Sequence, residues 1–89
     1  QNFVHATEQL YRDFSDMLLI LANARPSHSV TNPEVYRKFA TGIGPVGVMQ
    51  CIKVLGNTLN SMVYNTVDNR ILFEVAVVEL IGIIKSHVK

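Results

Sequence analysis

The sequence has few of the residues that stabilise small secreted domains or build metal centres. It contains one cysteine, Cys51, so no disulfide can form within the chain. A lone thiol suits a reducing compartment, and we expect a cytoplasmic location. The histidines His5, His28 and His87 show no ligand spacing with Cys51 or with one another. We therefore expect neither a metal ion nor a cofactor, and we interpret Cys51 as a packed thiol.

Charge is also scarce, since charged residues make up 17% of the chain and apolar residues 48%. The net charge is +1, and the lysines and arginines are scattered, Arg37 and Lys38 being adjacent. Without a basic stripe we expect no direct contact with nucleic acid. Glu74 and Glu79 interrupt the longest apolar run, so we expect no membrane span. The excess of apolar residues instead indicates a surface that a partner covers.

The length of 89 residues allows a single domain, residues 1–89. The sequence begins at Gln1 without an initiator methionine and within a helical pattern. We therefore expect this domain to be a fragment of a longer chain.

Hydrophobic periodicity predicts an all-α fold, a compact bundle of about four helices at roughly 2–24, 33–41, 45–64 and 69–87. The first helix has an apolar stripe three or four residues apart: Phe3, Thr7, Leu10, Phe14, Met17, Leu21 and Ala24. Its outer side is predicted to carry Glu8, Arg12 and Asp16, which can pair. It should stop at Arg25-Pro26, because a residue before proline resists helical geometry.

The two middle helices flank a glycine-rich segment. Thr31 or Asn32 should cap the second helix, with Pro33 at its first position and Gly42 at its end. Its predicted inward residues are Val35, Tyr36, Phe39 and Ala40. The third helix should turn Val48, Ile52, Leu55, Leu59 and Met62 inward, with Met49 and Val63 alongside and Cys51 near the edge of that face.

The last helix is apolar around most of its circumference. A strand would place Glu74 and Glu79 on opposite faces, each otherwise apolar, so a helix after an Asp68 cap is the better interpretation. One broad face is predicted to pack on the other helices: Leu72, Phe73, Ala76, Leu80, Ile83 and Ile84. A second, narrow apolar line consists of Ile71, Val75, Val78 and Gly82. It lies between two polar groups, Arg70, Glu74 and Lys85 on one side and Glu79 and Ser86 on the other. We call this line the seam.

The seam has two interpretations at the sequence level. An apolar line with a glutamate on each side is typical of an interface with another protein helix, and Gly82 would permit close approach. Alternatively, the last helix is central in its own bundle and the other helices cover the seam. Part of the line can also be covered internally and part by a partner. The predicted interface residues are therefore Ile71, Val75, Val78, Gly82, Glu74 and Glu79.

The segment GIGPVG at residues 42–47 matches the dinucleotide fingerprint G-x-G-x-x-G literally. That motif needs a preceding strand, whereas residues 34–41 are predicted to be helical. Pro45 also removes one amide that could bind phosphate. The glycines are better interpreted as a tight turn between helices, and we expect no catalytic or cofactor-binding residue in this chain.

Residues 69–80, NRILFEVAVVEL, resemble an N-P-R-x-L-L-E-x-A-L-L-x-L helix in the C-terminal helical collar domain of the bacterial DNA polymerase III tau/gamma clamp-loader subunit. The matching residues are Asn69, Arg70, Leu72, Glu74, Ala76 and Leu80. The proline after the asparagine is absent, and Phe73 replaces an aliphatic residue. Residues 10–19, LYRDFSDMLL, are similar to an upstream Arg-Asp-Leu-Leu run in that family.

This resemblance implies a collar module of a replication clamp loader, which holds subunits together while separate motor domains hydrolyse ATP. Its partners would be sister subunits, and the chain itself would not be an enzyme. The alternative is an unrelated helical adaptor that binds an amphipathic helix of another protein.

Overall fold

The computed structural model describes residues 2–23, 33–64 and 68–88. These residues form four α-helices: α1 (Phe3–Leu21), α2 (Pro33–Ile43), α3 (Pro45–Tyr64) and α4 (Asn69–His87). Within these ranges there is no strand, which confirms the all-α bundle. The bundle is compact, with a radius of gyration of 13.2 Å and extents of 39 × 28 × 18 Å. The bounds predicted for α3 and α4 match the observed ones.

The ends of α1 and α4 are set by side-chain caps and local turns. Asn2 caps α1 by accepting a hydrogen bond from the His5 amide at 3.0 Å. This helix ends at Leu21, earlier than predicted, and Asn23 has a left-handed backbone with φ 58°. Asp68 accepts a hydrogen bond from the Arg70 amide at 2.9 Å, so its predicted capping role is confirmed. The predicted stop at Arg25-Pro26 and the predicted caps at residues 31–32 lie outside the described residues.

The turn between α2 and α3 is made by Gly44, not by Gly42. Helix α2 continues to Ile43, two residues beyond its predicted end, and Gly44 has φ +88°. Its amide donates to the Ala40 carbonyl at 2.8 Å. A left-handed residue here lets α3 leave at 96° to α2. The GIGPVG segment therefore lies in two helices and the turn between them, with no strand before it in the described residues.

Helix α3 is the centre of the bundle and packs on the other three helices, most extensively on α1 and α4. The main buried cluster consists of Phe14, Met17, Ala40, Ile43, Val48, Cys51, Leu55 and Leu80. Cys51 is fully buried, closer to the centre than predicted, whereas Met49 and Val63 are exposed.

Two further predictions about burial were wrong. Val35 and Phe39 of α2 are exposed, although both were predicted to face inward. Asp16, predicted on the outer side of α1, is buried. It lies towards α2, where the charges of Asp13 and Asp16 act on the Tyr36 hydroxyl. The Tyr36 hydroxyl donates to Asp13 Oδ1 at 3.2 Å and ties α2 to α1.

Helix α4 packs on α3 along its length and on α1 near its start. The Phe3 and Phe73 rings are 5.5 Å apart, centroid to centroid. At the other end His87 Nε2 lies 3.0 Å from Gln50 Oε1 of α3. Gly47 allows this approach, because a Cβ there would lie 3.0 Å from His87 Cγ.

In the part of the chain that the structure describes, no single helix combines the length and the apolar character needed to cross a membrane. Helices α2 and α3 meet those criteria only when they are taken together across their 96° bend.

Candidate protein-binding interface

Helix α4 lies at the outside of the bundle. Only Ala76 and Leu80 of this helix are buried. The other residues of its predicted packing face, Leu72, Phe73, Ile83 and Ile84, are half-buried. Among the described residues, therefore, the other helices cover one side of α4. The alternative in which α4 is central and covered on both sides does not describe this bundle.

The seam is exposed along its whole length. Ile71 is 47% exposed, Val75 51% and Val78 68%. Gly82 is exposed as well, and a Cβ placed on it would have no neighbour within 4 Å. Fully burying an aliphatic side chain of this size contributes about 1.5–3 kcal/mol, so covering the exposed half of each contributes about 1 kcal/mol. A helix lying along the seam would gain this free energy without displacing any described part of the bundle.

The two glutamates form the sides of a shallow depression with an apolar floor. Its volume is about 340 Å³, and it is lined by Glu74, Val75, Val78 and Glu79. Glu74 lies 3.9 Å from the Arg70 guanidinium one turn earlier, and both side chains are exposed. Glu79 has no ion-pair partner among the described residues. The Glu79 side of the depression is therefore acidic, whereas the charge on the Glu74 side is partly neutralised.

A groove between α3 and α4 continues the seam on its Glu79 side. It has a volume of about 260 Å³ and is lined by Val54, Asn57, Thr58, Ser61, Leu72, Val75 and Glu79. The Thr58 hydroxyl donates to the Val54 carbonyl at 2.8 Å and is thus occupied within α3. Asn57 is exposed and can meet polar groups of a partner. A helix bound on the seam would also contact the α3 side of this groove, which would fix its position.

The prediction from sequence did not include Ile81, which is 47% exposed. Ile81 follows Val78 by three residues and so lies beside it on the helix surface, towards Glu74. It widens the apolar surface near the end of the seam. The sequence could have identified Ile81, because its position on the helical wheel lies outside the face that packs on the bundle.

A second exposed apolar line lies on α2. It consists of Val35, Phe39 and Gly42, spaced by four and then three residues, and we call it the α2 face. Lys38 is exposed beside Phe39. The prediction from sequence missed this surface because it assigned Val35 and Phe39 to the core.

Cys51 is placed for packing rather than for chemistry. It is fully buried, and burial raises the pKa of its thiol, so the reactive thiolate is disfavoured. Within the described ranges no group of three or more His, Cys, Asp or Glu side chains is arranged to hold a metal ion. The exposed apolar surfaces on α4 and α2 are the candidate functional features that the described residues offer.

Comparison of this chain with protein-family models, with curated proteins and with solved structures finds no match.

Proposed function

We propose that this chain is a non-catalytic assembly module that binds a helix of another subunit along the seam of α4. The observation that carries the proposal is the exposure of Ile71, Val75 and Val78 in a line between Glu74 and Glu79. Apolar side chains in a row, bordered by charges, are what a helix–helix interface requires.

The specific form of this proposal is a collar-type oligomerisation module of a bacterial replication clamp loader, acting in the cytoplasm. The support for it is the resemblance at residues 69–80. In the structure the apolar residues of that match, Leu72, Ala76 and Leu80, lie on the side of α4 that packs on the bundle. Glu74, also part of the match, borders the seam. The matched helix therefore has one side for the bundle and another for a neighbour, as a subunit of an assembly needs.

The second candidate is an adaptor unrelated to clamp loaders that binds one amphipathic helix. The groove between α3 and α4 favours it, because the groove and the seam together form one elongated site. A ring subunit should associate through two flanks, whereas an adaptor should bind through this site alone.

The test is to place a charge in the seam and measure association. We expect Val75→Asp and Val78→Asp to abolish complexes seen by sedimentation velocity, for the chain alone and mixed with clamp-loader subunits. Both side chains are at least half exposed, so the thermal unfolding midpoint of the isolated chain should change little.

The matched control is Val63→Asp on α3. Val63 and Val78 are both 68% exposed, but Val63 lies outside the seam. Its substitution should leave every complex intact. If the two seam variants also leave every complex intact, or if they unfold the monomer while Val63→Asp does not, the seam is not an assembly surface.

A further inference from the structure

We propose that the partner of the seam is the α2 face of a second copy of this chain, so that copies associate head to tail. This inference rests on the proposed function, because it assumes that the seam is an assembly surface. It goes further by naming the segment that occupies the seam and the charge pair that orients it.

The α2 face has the shape of a partner for the seam. Val35 is 57% exposed and Phe39 44% exposed. The face repeats the alternation of four and three residues seen in the seam. The α2 face from Val35 to Gly42 spans about 10 Å at 1.5 Å per residue, as does the part of the seam from Ile71 to Val78. The two surfaces can therefore be in contact over that length, with Gly82 beyond the end of α2.

Two seams do not complement each other in charge. In the heptad notation of coiled coils, Ile71 and Val78 take position d, and Val75 and Gly82 take position a. Glu74 then takes position g and Glu79 position e. A parallel symmetric pair would bring Glu74 against Glu79 of its copy and so oppose like charges. An antiparallel pair that aligns the whole seam would place Glu79 against Leu72 and Glu74 against Ile81 of its copy, so neither carboxylate would meet a positive charge. A partner helix with a positive charge at the matching position complements the seam better than a second seam does.

The α2 face supplies that charge. With Phe39 at position a, Lys38 takes position g, which meets position e of a parallel partner. Position e of the seam is Glu79. Lys38 and Glu79 are both exposed, and neither has an ion-pair partner among the described residues of its own chain. Parallel docking of α2 on the seam would satisfy both.

The two surfaces lie on helices that contact each other less than any other pair in the bundle. One copy can therefore use both surfaces at once, which makes the contact heterologous. Such contacts close into a ring or grow into a filament, depending on the rotation between copies. A single helix pair buries less area than a standard interface, so the contact should be weak and measurements should extend to roughly 1 mM.

The experiment uses two variants of the full 89-residue chain, each blocking one surface. We expect the unmodified chain to self-associate, and Val78→Asp and Phe39→Asp each to be monomeric by sedimentation equilibrium. Mixed together, they should form a 1:1 dimer and nothing larger, because the first keeps an intact α2 face and the second an intact seam. Val63→Asp should associate like the unmodified chain, and circular dichroism should show that every variant is folded.

A charge exchange tests the orientation without altering an apolar residue. Lys38→Glu and Glu79→Lys should each weaken self-association about fivefold, and the double variant should restore it to within about twofold. This pair also decides the matter if Phe39→Asp fails to fold.

Several outcomes overturn the inference. They are an unmodified chain that stays monomeric, a mixture of blocked variants that forms no dimer, or a charge exchange that restores nothing. If seam variants abolish association while Phe39→Asp and Lys38→Glu do not, the proposed function stands and the α2 face is the wrong partner. If neither set has any effect, both proposals fail.

Discussion

Gly47 lies where α3 packs closely against Ile43 of α2 and His87 of α4. A Cβ there would lie 2.5 Å from Ile43 Cγ2 and 3.0 Å from His87 Cγ. We expect Gly47→Ala to lower the free energy of unfolding by about 1–3 kcal/mol through overpacking, as measured by urea denaturation.

Gly82 is the natural control for this substitution. It lies inside α4 with open space around it, so Gly82→Ala should raise the free energy of unfolding by about 0.5–1 kcal/mol through helix propensity. Equal effects at the two positions would show that Ile43 and His87 do not crowd Gly47 as the structure describes.

Tyr36 and Cys51 are expected to lower the free energy of unfolding at alkaline pH. Burial raises the pKa of Tyr36 above 10.0, as do the charge of Asp13, its hydrogen bond and the charge of Asp16. Burial also raises the pKa of Cys51 above 9.0. The unfolded chain therefore loses these protons at lower pH than the folded chain, and the folded state is progressively disfavoured above about pH 9.

We expect the free energy of unfolding to be steady between pH 7 and about pH 9 with respect to these two groups, and to fall as the pH rises further. Urea titrations should show a shallower decline above about pH 9 for Cys51→Ala and above about pH 10 for Tyr36→Phe. Slopes identical to that of the unmodified chain would mean that neither group titrates differently in the folded state.

At the scale of helices, the sequence predicts the long elements well and the short one less well. The bounds of α3 and α4 follow from long apolar patterns, each with a clear start signal. Pro45 marks the start of α3, and Asp68 caps the start of α4. In α2 the prediction stopped two residues early and so omitted Ile43, which is buried. Ile43 lies near the middle of the apolar arc that also contains Val35, Tyr36, Phe39 and Ala40. The bundle covers only the side of this arc at Ala40 and Ile43, and the pattern within α2 does not show which side that is.

Charge patterns predict less about burial than apolar patterns do. Asp16 belongs to a line of charged residues on α1 and was placed on the outside for that reason. Whether such a line meets solvent depends on which other segments pack against α1, and spacing within α1 carries no information about that. The alignment of the seam residues along α4 follows from their spacing, which is local. The exposure of that line depends on which helix is central, and only the tertiary structure decides this.

The connection between α2 and α3 depends on one backbone conformation. Gly44 has φ +88°, which costs an L-residue about 1–2 kcal/mol. We expect Gly44→Ala to lower the free energy of unfolding by about that amount. Gly42→Ala, inside α2 with nothing nearby, should leave it unchanged or raise it slightly. Chemical denaturation of the two variants tests this, and a larger loss at Gly42 would contradict the observed turn.

At the scale of the whole molecule, the bundle is organised around α3 rather than around the apolar α4. Helix α3 contributes Val48, Cys51 and Leu55, all fully buried, whereas α2 contributes Ala40 and Ile43. We expect native-state hydrogen exchange to be slowest for the amides around Cys51 and Leu55, and at least about tenfold faster in α2. Hydrogen-exchange mass spectrometry resolves these segments. Uniform protection of all four helices would contradict this order.

The exposure of Ile71, Val75 and Val78 has a consequence for which substitutions these positions tolerate. These side chains add little to the interior, so a genetic screen that rewards folding alone should accept lysine, glutamine or serine at their codons. If the seam is the assembly surface proposed above, a screen that rewards growth through the assembled complex should keep those codons aliphatic. The substitution spectra of the two screens would then differ at the seam and agree at Leu55.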